Sequence, residues 1–547
     1  MNSFNIHKPK WSRRKFLTRT GSAGLGVTGM ASTLTNLNLI QNASAAATGM
    51  NMGDYKALVC FFLAGGCDTN NVLIPIGSHP GRNKYESDRR FVAVSEAAIA
   101  TAGTALNAPS PANQQYALHP SCQSMSQMFN DGELAMIANC GTLAVPIPEN
   151  VSLSEYNATI KPIQLFSHSD QVNEWFSSIP QNPFVSGWAG RVAELFGSSA
   201  YADPAPGGQG INKDGIASML VTAAGGTDLL VSPGGAIPQY AVSRTGAISL
   251  AGYGTNYSSA LENGAYRTNS TGQRLQAFES IINYQHEHIL EQGYTEVLKS
   301  ARENEGLIGA ATNVADSSDA GPFPDDNFLG DLFLTTYNDR IGTTFSATTQ
   351  LPVDVQEMLI TCKLIAGREC LGNTRQVFFM NKGGFDTHAD INTALPLLLA
   401  DVDAIVACFN AGMKALDQYD SEFDYNMVTM FQGSDFNRTW TPNTSGTDHA
   451  WGTHTFVAGG AVADANTGGS QIYGKFPELA ISGANDVPGN NNRGRWIPQI
   501  STDQYYARIA KWFGVSTADM EAIFPNLANG FTSPFAPETN LDFIGLT

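Results

Sequence analysis

Five residues in this chain offer oxygen and imidazole donors in a repeated setting: Asp68, Asp386, His388, Asp435 and His449. Asp386 and His388 stand two apart in GGFDTH, 383–388, just after the apolar run Val377-Phe378-Phe379-Met380. Asp68 follows Gly65-Gly66 at the end of LVCFFLA, and Asp435 follows Gly433 at the end of MVTMF. His449 lies in the next loop, in Gly446-Thr447-Asp448-His449. Carboxylates mixed with imidazoles suit Zn²⁺, Mn²⁺ or Fe, and the oxygen-rich part of the set suits Mg²⁺ or Ca²⁺. Two such ions about 4 Å apart activate a nucleophile and stabilise a phosphoryl or sulfuryl leaving group. Arg438, three residues after Asp435, has the fork to hold an oxyanion. Ser167 stands at the head of the helical stretch SDQVNEWFSS, where a hydroxyl serves as a nucleophile, an anion ligand or a plain helix cap.

The elements that must position these residues read as α/β. Lys56 to Ala64, Leu134 to Cys140, Arg375 to Met380, Tyr425 to Phe431 and Thr453 to Ala458 are short apolar runs of the kind buried on both faces of a sheet. Glycine then breaks three of them just before an aspartate, which places the polar groups at carboxyl ends of strands, where open α/β sheets keep their sites. A helical stretch, Cys122 to Asn130 with Ser121 as its cap, separates the first two runs and suggests a parallel βαβ unit. Ile391 to Tyr419 carries apolar residues at helical spacing and reads as a core helix. The stretch 201–272, with a short strand at Ser218 to Val221, reads as an insertion over the main sheet, and 305–350 reads as a loop. His286 and His288, two apart in the helical pattern Gln273 to Glu303, point in different directions and make no metal pair.

The first forty-seven residues read as an address. Ser12-Arg13-Arg14-Lys15-Phe16-Leu17 is a twin-arginine signal, and Ala43-Ser44-Ala45 or Ala45-Ala46-Ala47 offers a cleavage site. The expected product is an exported protein, periplasmic or secreted, with the export machinery as its first partner. No segment of the mature chain offers the run of about 18 apolar residues needed to span a membrane. Residues 48–547 then form one large α/β domain with insertions near 201–272 and 305–350. The leader holds six Lys or Arg and no acid, so its loss moves the net charge from −18 to −24. That balance argues against nucleic acid and anionic membrane as partners. An anionic substrate needs a metal or local arginines to reverse the sign at its site. Seven cysteines, none in a CxxC, leave a Cys122–Cys140 bridge to be considered.

These pieces carry a resemblance. LAGGCDTNNVLIP at 63–75, LHP at 118–120, SHSDQVNEW at 167–175, GWAGR at 187–191, GGFDTH at 383–388, SDFNRT at 434–439 and GTDHAWGTHTFVAGGAV at 446–462 follow the twin-arginine leader in order. Together they resemble the domain-of-unknown-function family 1501, exported proteins grouped with the alkaline phosphatase and sulfatase superfamily. The resemblance implies an alkaline phosphatase-like fold, with a mainly parallel sheet, helices on both faces and a two-metal site. It also implies a small anionic phosphate or sulfate ester as substrate. By position Asp68 resembles the first-strand ligand, Asp386 and His388 the ligand pair of one metal, Asp435 the next ligand and His449 the last. Ser167 and Thr69 are rivals for the nucleophile. Phe436 stands where the superfamily commonly has a histidine. Two functions stay open: a metal-dependent ester hydrolase, and a non-catalytic exported protein that keeps the fold for binding or assembly.

Overall fold

The first apolar run forms strand β1, Lys56–Leu63, and every residue of it after Lys56 is buried. Side chains alternate faces along a strand. Val59, Phe61 and Leu63 enter one core while Leu58, Cys60 and Phe62 enter another. With both faces covered, nothing favours a polar residue at alternate positions, so the run is apolar throughout. The computed structural model describes residues 55–107, 115–183, 186–196, 308–462, 472–489 and 493–546, residues 280 and 284, and the backbone of three further strands. The leader 1–47, most of 201–272 and, apart from residues 280 and 284, the 273–303 pattern with His286 and His288 lie outside the described residues.

The other strands are β2 (Leu73–Ile76), β3 (Gln115–Leu118), β4 (Leu134–Gly141), β5 (Ile216–Leu220), β6 (Gln239–Val242) and β7 (Ile248–Leu250). They continue with β8 (Arg375–Lys382), β9 (Val428–Ser434), β10 (Thr453–Ala458), β11 (Ile472–Gly474) and β12 (Ile500–Ser501). Among the described residues, ten strands make one sheet in the order β11-β4-β10-β9-β1-β8-β5-β6-β7, with β12 beside β4. The sheet is mostly parallel. β10 runs antiparallel to β4 and β9, and β7 antiparallel to β6. Helices Gln123–Asn130, Phe328–Ile341, Val353–Ala366 and Ile391–Tyr419 pack on one face; His168–Ser177, Trp188–Phe196 and Thr502–Phe513 pack on the other.

Four expectations need correction. β1 and β4 are not neighbours, because β9 and β10 lie between them; closeness in sequence did not set sheet order. The strand near residue 218 is β5, which pairs with β8 and extends the sheet instead of lying over it. The stretch 305–350 holds the helix Phe328–Ile341, with Leu329, Phe333 and Tyr337 buried at four-residue spacing that the surrounding Gly, Asp and Thr obscured. Cys122 and Cys140 are unbridged, and they sit in the cores on opposite faces of the sheet. Among the described residues one helix, Ile391–Tyr419, is long and apolar enough to cross a membrane. Half of its most apolar window is buried inside the fold, as in a core helix.

The register explains the site. Leu63 at the end of β1 pairs with Lys382 in β8 and with Ser434 in β9. Three parallel strands therefore end level, and their following turns emerge side by side at the carboxyl edge of the sheet.

Candidate functional site at the strand ends

The turn after β1 closes against the other two. Gly65 adopts φ +111°, a left-handed conformation that favours glycine, and a Cβ there would lie 2.6 Å from the Asp386 amide nitrogen. The Gly65 amide donates to Asp435 Oδ1 at 3.0 Å. Beyond β9, the backbone of Arg438 bridges that of His449, which brings the 446–449 loop back beside Asp386. Across the site, Trp175 donates its indole N–H to the Asp435 carbonyl at 3.1 Å and pins the His168–Ser177 helix over the end of β9. His168 lies seven residues before Trp175, on the same helical face, and reaches the site with it.

Three imidazoles converge on one carboxylate. His388 Nε2 lies 3.1 Å from Asp386 Oδ1 and His449 Nε2 lies 3.4 Å from it, while His168 Nε2 lies 3.5 Å from Oδ2. Each imidazole turns its other nitrogen to an oxygen acceptor. His168 Nδ1 meets Asp435 Oδ2 at 2.7 Å, His388 Nδ1 meets Asp448 Oδ1 at 3.0 Å, and His449 Nδ1 meets the Phe166 carbonyl at 2.7 Å. A carbonyl or carboxylate oxygen only accepts, so Nδ1 carries the hydrogen in each ring, and in the neutral imidazole Nε2 presents its lone pair inward. Phe166 holds φ +82° to aim its carbonyl this way.

The inward face is unbalanced. The Nε2 atoms of His388 and His449 stand 2.9 Å apart. Two lone pairs at that separation repel unless a proton or a cation lies between them. His168 Nε2 is buried and makes no hydrogen bond. His168, Asp386 and His449 each offer a ligand atom within 4.8 Å of the others. The donors therefore fit a divalent cation, and the orphaned nitrogen marks where one of them would bind it.

The charges around this centre follow from its neighbours. The hydrogen bond to Asp435 holds the His168 imidazole above its ordinary range, against the opposing effect of burial. Burial holds His449 below the ordinary range, with the positive charges of Arg438 and His168 adding to it. Burial alone would raise Asp386, but the hydrogen bond and charge of Arg438, with His388 and His168, outweigh it and hold the carboxyl low. Asp448 is held down to about 2: hydrogen bonds from Asn443, His388 and Arg493 outweigh its burial. Arg438 is buried, with Nη1 on Asp386 Oδ1 at 2.7 Å and Nη2 on the Thr447 carbonyl.

Of the residues expected from sequence, Asp386, His388 and His449 come together, with Arg438 bound to Asp386. Asp435 is adjacent, but its two oxygens are taken by the Gly65 amide and His168. Asp68 is fully buried in an ion pair with Arg89 at 2.5 Å, and does not join the cluster. Ser167 donates to Asp170 Oδ2 at 2.5 Å within its own helical turn. Thr69 is enclosed, bonded to Thr453 Oγ1 at 3.0 Å. Sequence reasoning missed His168 and Asp448 as parts of the centre. The signal for His168 was its place beside Ser167 at a helix start, seven residues before a tryptophan.

Fold and site together define an α/β protein with a histidine–aspartate centre at the carboxyl edge of a mostly parallel sheet. Residues 341–490 match the family model described as Protein of unknown function (DUF1501), which supports that family. The matched span includes Asp386, His388, Asp435, Arg438, Asp448 and His449, and leaves His168 outside it. No curated protein and no solved structure matches the chain.

Proposed function

We propose that the protein is an exported, metal-dependent hydrolase of small phosphate or sulfate esters, built on an alkaline phosphatase-like fold. The observation that carries this reading is the inward convergence of three imidazole Nε2 atoms on Asp386, with His388 and His449 only 2.9 Å apart. His168, Asp386, His388 and His449 would hold the cation, which would supply Lewis acidity toward a phosphoryl or sulfuryl oxygen. Arg438 orients the Asp386 carboxylate through Nη1 and fixes its own plane on the Thr447 carbonyl. Arg438 and Arg493 are paired with Asp386 and Asp448, so the bound cation would be the charge that reverses the sign for an anion at this site. The nucleophile in this reading is water, since Ser167 is spent on Asp170 and Thr69 is enclosed.

The same commitment of both hydroxyls favours a second reading, a non-catalytic exported protein that uses the site for binding or assembly. A panel of aryl phosphate and aryl sulfate esters separates the two. The hydrolase reading expects turnover by metal-loaded protein and its loss in Asp386→Ala; no turnover of any ester selects the second. The twin-arginine leader supports periplasmic or secreted localisation. Replacing Arg13 and Arg14 together by Lys should retain the protein in the cytoplasm, and unchanged export would refute that assignment.

A further inference from the structure

We infer that this centre holds a single borderline transition-metal ion, Zn²⁺, Mn²⁺ or Fe²⁺, on His168, His388, His449 and Asp386, and that Asp435, Asp448 and the Phe166 carbonyl orient those imidazoles and bind no second ion. The inference rests on the metal reading above and goes further in fixing the number and class of ion.

The donor spacing fits one ion. For bonds of about 2.0–2.1 Å, ligands on neighbouring corners of an octahedron or tetrahedron stand about 2.8–3.4 Å apart. Four of the separations among the Nε2 atoms and the Asp386 oxygens are 2.9, 3.1, 3.4 and 3.5 Å, and the donor atoms of His168, Asp386 and His449 all lie within 4.8 Å of one another. The donor types select the class. Three imidazoles and one carboxylate suit borderline transition ions, whereas Mg²⁺ and Ca²⁺ take oxygen ligands.

A second ion about 3.5–4 Å away would need its own donors. The carboxylates that contact these imidazoles from outside are Asp435 and Asp448, and both are spent. Asp435 accepts from the Gly65 amide on one oxygen and from His168 on the other, with its side chain 3% exposed. Asp448 accepts from His388 and Asn443 on Oδ1 and from Arg493 on Oδ2. Asp68 stands outside the cluster, with Oδ2 on Arg89 and Oδ1 buried without a hydrogen bond. A carboxylate on the far nitrogen of a ligating histidine fixes its tautomer and ring plane and raises its basicity. Asp435 and Asp448 occupy that position for two rings, and a backbone carbonyl does so for the third.

The test is equilibrium dialysis of the full mature protein against Zn²⁺, Mn²⁺ and Mg²⁺ with elemental mass spectrometry. We expect one equivalent of Zn²⁺ or Mn²⁺ and none of Mg²⁺. Asp435→Asn and Asp448→Asn should still reach one equivalent at saturation, with dissociation constants 10–100-fold weaker. Nitrogen-15 NMR of the Zn²⁺-loaded protein should show three imidazoles protonated at Nδ1, with Asp435→Asn moving mainly the His168 signal. Two equivalents in the wild type, falling to one in Asp435→Asn, would overturn the inference and leave the hydrolase reading standing. One equivalent without ester turnover would do the reverse. Should Asp435→Asn fail to fold, the wild-type stoichiometry and the more exposed Asp448 variant still decide the matter. No bound metal sinks both readings.

Discussion

Replacing Arg89 by Met should unsettle the fold without emptying the centre. Arg89 is fully buried, with Nη2 on Asp68 Oδ2 at 2.5 Å and Nη1 shared between the Thr439 and Trp440 carbonyls at 3.1 Å each. It thereby ties the turn after β1 to the loop after β9. Removing one partner of a buried ion pair leaves the other charge unpaired in low dielectric, at a cost of about 3–5 kcal/mol. The two orphaned carbonyls act in the same small region, so their loss overlaps with this figure and does not add to it. Asp68→Asn should cost a similar amount by stranding the guanidinium. The double variant should be more stable than the sum of the single losses predicts, because neither charge is then left alone. Urea unfolding measures the stabilities, and elemental mass spectrometry on the same samples measures metal content. Single variants within about 1 kcal/mol of wild type would refute the assignment of this pair as structural. Loss of metal in Asp68→Asn, with Arg89→Met fully loaded, would refute it more sharply and make Asp68 a ligand.

Three further outcomes follow from the geometry. Gly65→Ala should cost about 1–3 kcal/mol from its positive φ and weaken metal binding, since its Cβ would press on the Asp386 amide at 2.6 Å; a calorimetric metal titration checks this, and unchanged affinity counts against it. Burial pushes the Asp503 carboxyl up to about 7, against the pull of Ser178 and Arg191. The native state then holds this proton more tightly than the unfolded chain, so stability falls as pH rises from about 4 to about 7, by up to about 1.4 kcal/mol per pH unit. Asp503→Asn should flatten that part of the stability profile. Adding Zn²⁺ at a hundredfold excess over its dissociation constant should stabilise the chelated protein by about 2.7 kcal/mol, seen as a rise in Tm that His449→Ala abolishes.

The sequence made the main elements legible for a physical reason. β1, β4, β8, β9 and β10 are buried on both faces, and that burial leaves continuous apolar runs that stand out in any reading. The glycine-aspartate turns after β1, β8 and β9 were visible for the same reason, because each interrupts such a run. What those turns do was less legible. Asp68, Asp386 and Asp435 look alike in sequence, yet their partners differ: Arg89 for the first, Arg438 and the imidazoles for the second, Gly65 and His168 for the third. Each role is set by a residue from a distant part of the chain, and local spacing carries no record of that. The sheet order and the place of β5 were hidden likewise, since both depend on long-range pairing.

Phe436 shows how an apolar side chain can serve a polar centre. The sequence places it between Asp435 and Arg438, where an apolar side chain offers no donor. In the structure its ring is buried, 4.7 Å from the His168 ring and 4.6 Å from the His449 ring. It also packs so closely on Gly66 that a Cβ there would lie 2.5 Å from the ring. The phenyl group thus forms an apolar floor beneath two imidazoles whose Nδ1 atoms are held from outside by Asp435 and Phe166. A ring fixed by a hydrogen bond at one nitrogen and by packing on its face has little freedom left, so its second nitrogen is aimed before any ligand arrives. One of the three imidazoles comes from His168, on a helix that Trp175 anchors to the Asp435 carbonyl. The side chain and the backbone of Asp435 therefore both organise that imidazole, from a position where a sequence motif alone would assign it to a metal.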